Sequence, residues 1–163
     1  MNPISPPEIY VDRQKATELR CPSRNRLTAW VRAALAEEKI TAPVALTVRF
    51  VDVEEGKSLN HQYRHKNYAT NVLSFPYDAD DLPEAMMNER YLGDLVVCAP
   101  VLVREAAEQG KSLTAHSAHL VIHGVLHLLG FDHETDEDAQ RMEALEIRAL
   151  HHLNMGNPYE LDE

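Results

Sequence analysis

The chain has 163 residues, of which 44% are apolar and 26% charged, and its formal net charge is −10. This is the composition of an ordinary soluble globular protein, most simply one domain over 1–163 with a real core. The charge weighs against a surface that is basic throughout, as nucleic-acid binders often have. No stretch reaches the roughly 18 apolar residues of a membrane helix.

Residues 1–22 read as an extended lead-in, with Pro3, Pro6 and Pro7 near its start. They contain no apolar signal-peptide core, so the cytoplasm is the expected compartment. Cys21 and Cys98 fit that compartment as free structural thiols, because they form no short-spaced metal pair. Ser23 is a plausible N-cap for a helix over 24–39, with Leu27, Trp30, Val31, Ala34 and Leu35 as its apolar stripe. The β-branched run 44–50 predicts a strand. Asp52 caps a predicted helix to about 65, with Leu59 and Tyr63 facing inward.

A second strand is predicted over 71–76, where Pro76 ends it or marks an edge. An acidic loop, 78–88, leads to a third strand over 91–98. Pro100 suits the first turn of a helix running to about Gly110. Ser112 caps the next helix, which ends near Leu129. Thr135 caps a last one, with Asp136, Glu137 and Asp138 in its first turn. The expected architecture is α+β in layers, a small mixed sheet packed with helices. Positive charge gathers early, at Arg13, Lys15, Arg20, Arg24, Arg26 and Arg32, and acid gathers in 78–84 and 132–146. A basic face is therefore compatible with the overall negative charge.

The helix after Ser112 carries the most informative run of the chain, His123-Gly-Val-Leu-His127-Leu-Leu-Gly130-Phe-Asp-His133. Residues four apart lie one above the other on a helix, so His123 and His127 can bind one ion. Gly130 falls where the helix must end, because glycine takes the left-handed cap conformation at little cost. The reversed chain can then return His133 as a third ligand. Three ligands leave a position open for water, as in a catalytic rather than a structural zinc. The spacing is that of the zincin pattern H-E-x-x-H-x-x-G-x-x-H except at Gly124, where a peptidase carries its glutamate base. An ordinary zinc peptidase or amidase is thus a weak reading, while hydrolysis by a metal-activated water remains open. The pairs His61/His65 and His119/His123 share the four-residue spacing without the rest of the pattern. His116 and His119 read as surface or supporting histidines. The surrounding Leu120, Val121, Ile122, Val125, Leu126, Leu128 and Leu129 make the helix apolar nearly all round, so it should be buried.

A second constellation is Asn60-x-x-Tyr-Arg64-x-Lys66 followed by Thr70-Asn-Val-Leu-Ser-Phe75. An arginine fork matches a phosphate bidentately, and Arg64 is the candidate here, although taken alone it reads more simply as a surface salt bridge. Together with the histidine run and Gly93-Asp94, these segments resemble the YbeY family of bacterial metal-dependent endoribonucleases. The resemblance covers about 44–153. Only 66–69 differ from the usual Lys-Asp-x-Pro run. The resemblance implies one zinc per chain on His123, His127 and His133, with Arg64 as a further functional residue. It also implies cleavage of single-stranded RNA, maturation of small-subunit ribosomal RNA, and ribosome quality control. Ribosomal RNA and the small subunit would be the partners, with no membrane involved. The alternative from another class is a ribosome-assembly factor in which zinc is a structural clasp and binding is the function.

Overall fold

The computed structural model describes residues 8–36, 38, 40, 42–66, 69–77, 90–131 and 134–156. The strands are β1 (Ile9–Ala16), β2 (Val44–Val51), β3 (Val72–Pro76) and β4 (Arg90–Cys98). The helices are α1 (Arg24–Leu35), α2 (Val53–Arg64), α3 (Ala99–Gln109), α4 (Leu113–Leu128) and α5 (Asp136–His152). The strands form one mixed sheet in the order β1-β2-β4-β3. β1, β2 and β4 run parallel, and β3 pairs antiparallel with β4. The acidic loop expected at 78–88 and the candidate ligand His133 lie outside the described residues.

Alternation along the strands sorts the core. Leu46, Val48, Phe50, Leu95 and Val97 pack with α1, α4 and α5 on one face of the sheet. Leu73, Val96 and Cys98 join Val101 and the half-buried Leu59 on the other. β4 is therefore buried on both faces, which its run of apolar residues requires. α4 lies in the middle of the larger cluster with ten of its residues buried, as its nearly all-round apolarity predicts. Ser23, Ser112 and Thr135 each accept a hydrogen bond from the backbone N–H three residues on.

Three expectations are corrected. Residues 9–16 are extended, but they pair with β2 along their whole length as an edge strand rather than leading in. Their polar, half-exposed pattern hides this, since only Val11 is buried. In α2 the buried residues are Gly56 and Asn60, while Tyr63 is 58% exposed. The small Gly56 lets the helix settle against Cys98 and Val51, whereas Tyr63, two turns further on the same side, falls in the last turn of α2 and meets Phe75 edge-on instead of entering the core. Asp52 is the N-cap of α2, but its carboxylate accepts from Thr17 Oγ1 instead of from the helix. It thereby ties the end of β1 to the start of α2.

Gly93 sits where β3 crosses β4. Its φ is +137°, and a Cβ there would lie 2.2 Å from the carbonyl oxygen of Phe75. Only glycine fits that crossing. Among the described residues no helix is long and apolar enough to cross a membrane.

Candidate metal centre

α4 positions the two nearer histidines. His123 and His127 stand one turn apart on its half-exposed side, with ring centroids 4.7 Å apart. Their Nε2 atoms are 3.2 Å apart. Two nitrogens bound tetrahedrally to one zinc at 2.0–2.1 Å would be separated by about 3.4 Å. The pair has the separation of shared ligands.

The helix ends as the sequence predicts. Gly130 takes φ +103°, its N–H donates to His127 O at 3.0 Å, and Phe131 N–H donates to Leu126 O at 3.1 Å. This is the paired bonding of a glycine-terminated helix, and it reverses the chain just before His133. Among the described residues no group of three or more His, Cys, Asp or Glu is arranged to hold a metal. The described part of the centre is thus the His123/His127 pair.

One residue in contact with the histidine pair escaped the sequence reading. Glu146, on α5, is fully buried, and its Oε1 lies 2.5 Å from His123 Nδ1. His119 Nε2 is 3.5 Å from the same oxygen. A carboxylate accepts only, so His123 donates through Nδ1–H, and its Nε2 keeps a lone pair directed at His127. This fixed tautomer is what a metal ligand needs, and the two described donors fit a zinc ion. The signal was present in α5. Met142, Glu146, Ala149 and Leu150 form its buried stripe, and a carboxylate on an apolar stripe demands a partner.

The histidines face a cavity of about 340 Å³, whose polar wall includes His119, Asn71 and Ser74. Asn71 is held from two sides. Its Nδ2 donates to Glu105 Oε1 at 3.1 Å, and its Oδ1 accepts from Val72 N–H at 2.7 Å. The buried His116 contacts the same Glu105 oxygen through Nε2 at 3.0 Å, which locks α3, α4 and the start of β3 together. His116 is therefore structural.

Gly124 explains the missing glutamate. A Cβ at this position would lie 2.7 Å from Leu95 Cδ2 and 3.4 Å from Ser74 Oγ. α4 lies directly on the sheet there and leaves no room for a carboxylate. Arg64 is exposed in the last turn of α2 and is not among the residues lining the histidine cavity. Its neighbour Tyr63 meets Phe75 edge-on at 5.0 Å, and Phe75 points to the sheet face opposite Ser74. The two cysteines are free, and burial pushes both thiols up, so neither is a ready thiolate ligand.

A family model described as Endoribonuclease YbeY matches residues 10–154. The chain belongs to the YbeY family. The match takes in β1, so the likeness extends well beyond the 44–153 expected from the motifs. The chain is 54% identical over 155 residues to the Endoribonuclease YbeY of Pseudomonas putida strain W619, covering 95% of this chain and 96% of that one. It is also 54% identical to the YbeY of Pseudomonas savastanoi pv. phaseolicola, covering 95% and 90%. The solution structure of TM1509 from Thermotoga maritima shares the fold, with a TM-score of 0.54 at 23% identity over 93% of this chain and 99% of that one.

Proposed function

We propose that this YbeY-family chain is a metal-dependent endoribonuclease of the cytoplasm. It cleaves single-stranded RNA in the maturation of small-subunit ribosomal RNA and in ribosome quality control. The observation that carries the metal part is the 3.2 Å approach of His123 Nε2 and His127 Nε2. The RNA part is supported by the 54% identity to proteins named as endoribonucleases.

His123 and His127 would hold one zinc, with His133 as the third ligand after the Gly130 turn. When bound, zinc supplies a Lewis acid for a phosphoryl oxygen and lowers the pKa of a water. The protein's own groups do the rest. Glu146 holds the His123 ring in one tautomer. Asn71 and Ser74 line the cavity and offer hydrogen bonds to the ribose-phosphate chain. Arg64 contributes an exposed guanidinium that pairs with a phosphate and offsets charge as it develops. No side chain at position 124 takes the proton from the attacking oxygen, because the packing of α4 on Leu95 excludes one. The same exclusion argues against a peptidase of the H-E-x-x-H type.

The test is cleavage of a single-stranded ribosomal RNA fragment by wild type, His123→Ala and Arg64→Ala purified side by side. Cleavage by wild type, its loss in His123→Ala and strong slowing in Arg64→Ala are the expected result. Equal cleavage by all three preparations means a contaminating nuclease and contradicts the proposal. Analysis of the product ends identifies the nucleophile: a 2′,3′-cyclic phosphate with a 5′-hydroxyl marks attack by the ribose hydroxyl, and a 5′-phosphate with a 3′-hydroxyl marks attack by water.

A further inference from the structure

A chain of net charge −10 can hold a polyanion only where its local field is positive. The early arginines form such a place, and the histidine site does not use them. Arg13 turns inward, and its guanidinium donates to the carbonyls of Pro22 and Cys21 at 2.7 and 3.2 Å. This braces the loop between β1 and α1. The loop and the first turn of α1 then set Arg20 and Arg26 on the wall of a cavity of about 460 Å³. Arg26 Nη1 donates to Thr114 Oγ1 at 3.2 Å, which holds its guanidinium across the gap between α1 and α4. Phe50, Val103 and Leu113 provide apolar wall, and no Asp or Glu is among the described residues that line it.

The position in the fold reinforces the charge. The cavity opens beyond the carboxyl ends of the parallel strands β1, β2 and β4, where α/β sheets place their ligands. The first turns of α1, α3 and α4 all border it, so three positive helix ends add to the two guanidinium groups.

We propose that this cavity is a phosphate-binding subsite for the RNA strand cut at the histidine site, an inference that rests on the endoribonuclease reading. Arg20 and Arg26 hold a phosphate, and the apolar wall takes the adjoining ribose or base. The two sites share α4. Ser117 lines this cavity and Leu120 the histidine cavity, three residues and about 4.5 Å of helix rise apart. Glu105, on α3, has its carboxylate engaged by Asn71 and His116 rather than directed at a ligand.

The test is binding of a labelled, chemically cleavage-resistant single-stranded RNA to the metal-loaded protein, followed by fluorescence anisotropy across a salt series. Wild type is compared with Arg20→Ser/Arg26→Ser and with Val103→Glu, which puts a negative charge at an exposed wall position without touching either arginine. The double variant should weaken binding by on the order of tenfold and flatten the log–log salt slope by about 0.7, the share of one phosphate contact on a single strand. Val103→Glu should weaken binding while metal content and melting temperature hold. Cleavage of an unmodified oligonucleotide should show a raised KM with kcat preserved. Unchanged affinity and slope in Val103→Glu and in a folded double variant overturn the subsite and leave the endoribonuclease reading intact. A site that binds a nucleoside monophosphate but leaves RNA affinity unaffected by the variants serves a free nucleotide, and this too overturns it. Wild type that neither binds nor cuts RNA removes both.

Discussion

Glu146 Oε1 and His123 Nδ1 lie 2.5 Å apart, so a buried carboxylate on α5 sets the tautomer of a histidine on α4. The contact crosses between two helices that otherwise pack largely through apolar side chains, with His119 approaching the same oxygen at 3.5 Å. It predicts that Glu146→Gln and Glu146→Ala weaken zinc binding by about 10- to 100-fold, with Ala the worse because it removes the acceptor altogether. Competition against a chromophoric chelator measures this directly. Zinc affinity equal to wild type in both variants would show that Glu146 is only a packing residue.

Gly124 allows α4 to touch Leu95, and the account predicts that this cannot be changed. Gly124→Glu would bury an unpaired carboxylate in a space too small for it. A loss of at least about 3 kcal/mol of stability is expected, with no gain of peptide hydrolysis. Denaturant unfolding and a peptidase assay check the two halves. A stable variant that hydrolysed peptides would contradict the packing argument.

Gly93→Ala should be comparably harmful, by about 2–4 kcal/mol. Its Cβ would collide with backbone, at Phe75 O, where no side chain can move aside. Because the collision falls at the β3–β4 crossing, hydrogen exchange should rise first in β3. Unchanged protection of residues 72–76 would count against this.

Tyr91 provides a pH dependence. Its hydroxyl donates to Asp94 Oδ1 at 2.6 Å and lies 2.8 Å from Thr47 Oγ1. Burial, with the Asp94 bond second, pushes its pKa up to about 12. The folded state thus holds this proton more tightly than the unfolded chain, whose tyrosines titrate near 10. The resulting stabilisation is intact below about pH 10 and is lost as the pH rises through 12. Ultraviolet titration should show a tyrosine step near pH 12 that Tyr91→Phe removes. Tyr91→Phe should lower stability at pH 7 by about 1 kcal/mol and shrink the fall between pH 10 and 12. An identical alkaline fall in both proteins would contradict the assignment.

Most of the fold was legible because helix caps and strand-forming runs are local signals. Ser23, Ser112, Thr135 and Gly130 mark helix ends by their own chemistry, and the structure uses all four. β1 was not legible as a sheet strand, because an edge strand with one buried residue lacks an apolar alternation. Tyr63 was misplaced because it shares the inward side of α2 with Gly56 and Asn60 but falls in the last turn, where it meets Phe75 instead of the core, and spacing alone does not show where along a helix the core stops. At the candidate metal centre, the close approach of His123 and His127 was legible from their four-residue spacing, and the longer pattern through Gly130 set this pair apart from His61/His65. Glu146 was not, because it lies 23 residues beyond His123 and only the packing of α5 on α4 brings it back. The cavity at Arg20 and Arg26 was out of reach for the same reason, since Thr114 and Val103 reach it from distant parts of the chain.

The most direct measurement takes metal content and ribonuclease activity from one preparation, wild type beside His127→Ala, on a single-stranded ribosomal RNA fragment. About one zinc per chain together with cleavage, both lost in the variant, is the predicted result. Zinc retained by His127→Ala, or cleavage at the wild-type rate without it, would contradict a catalytic metal held by the α4 histidines.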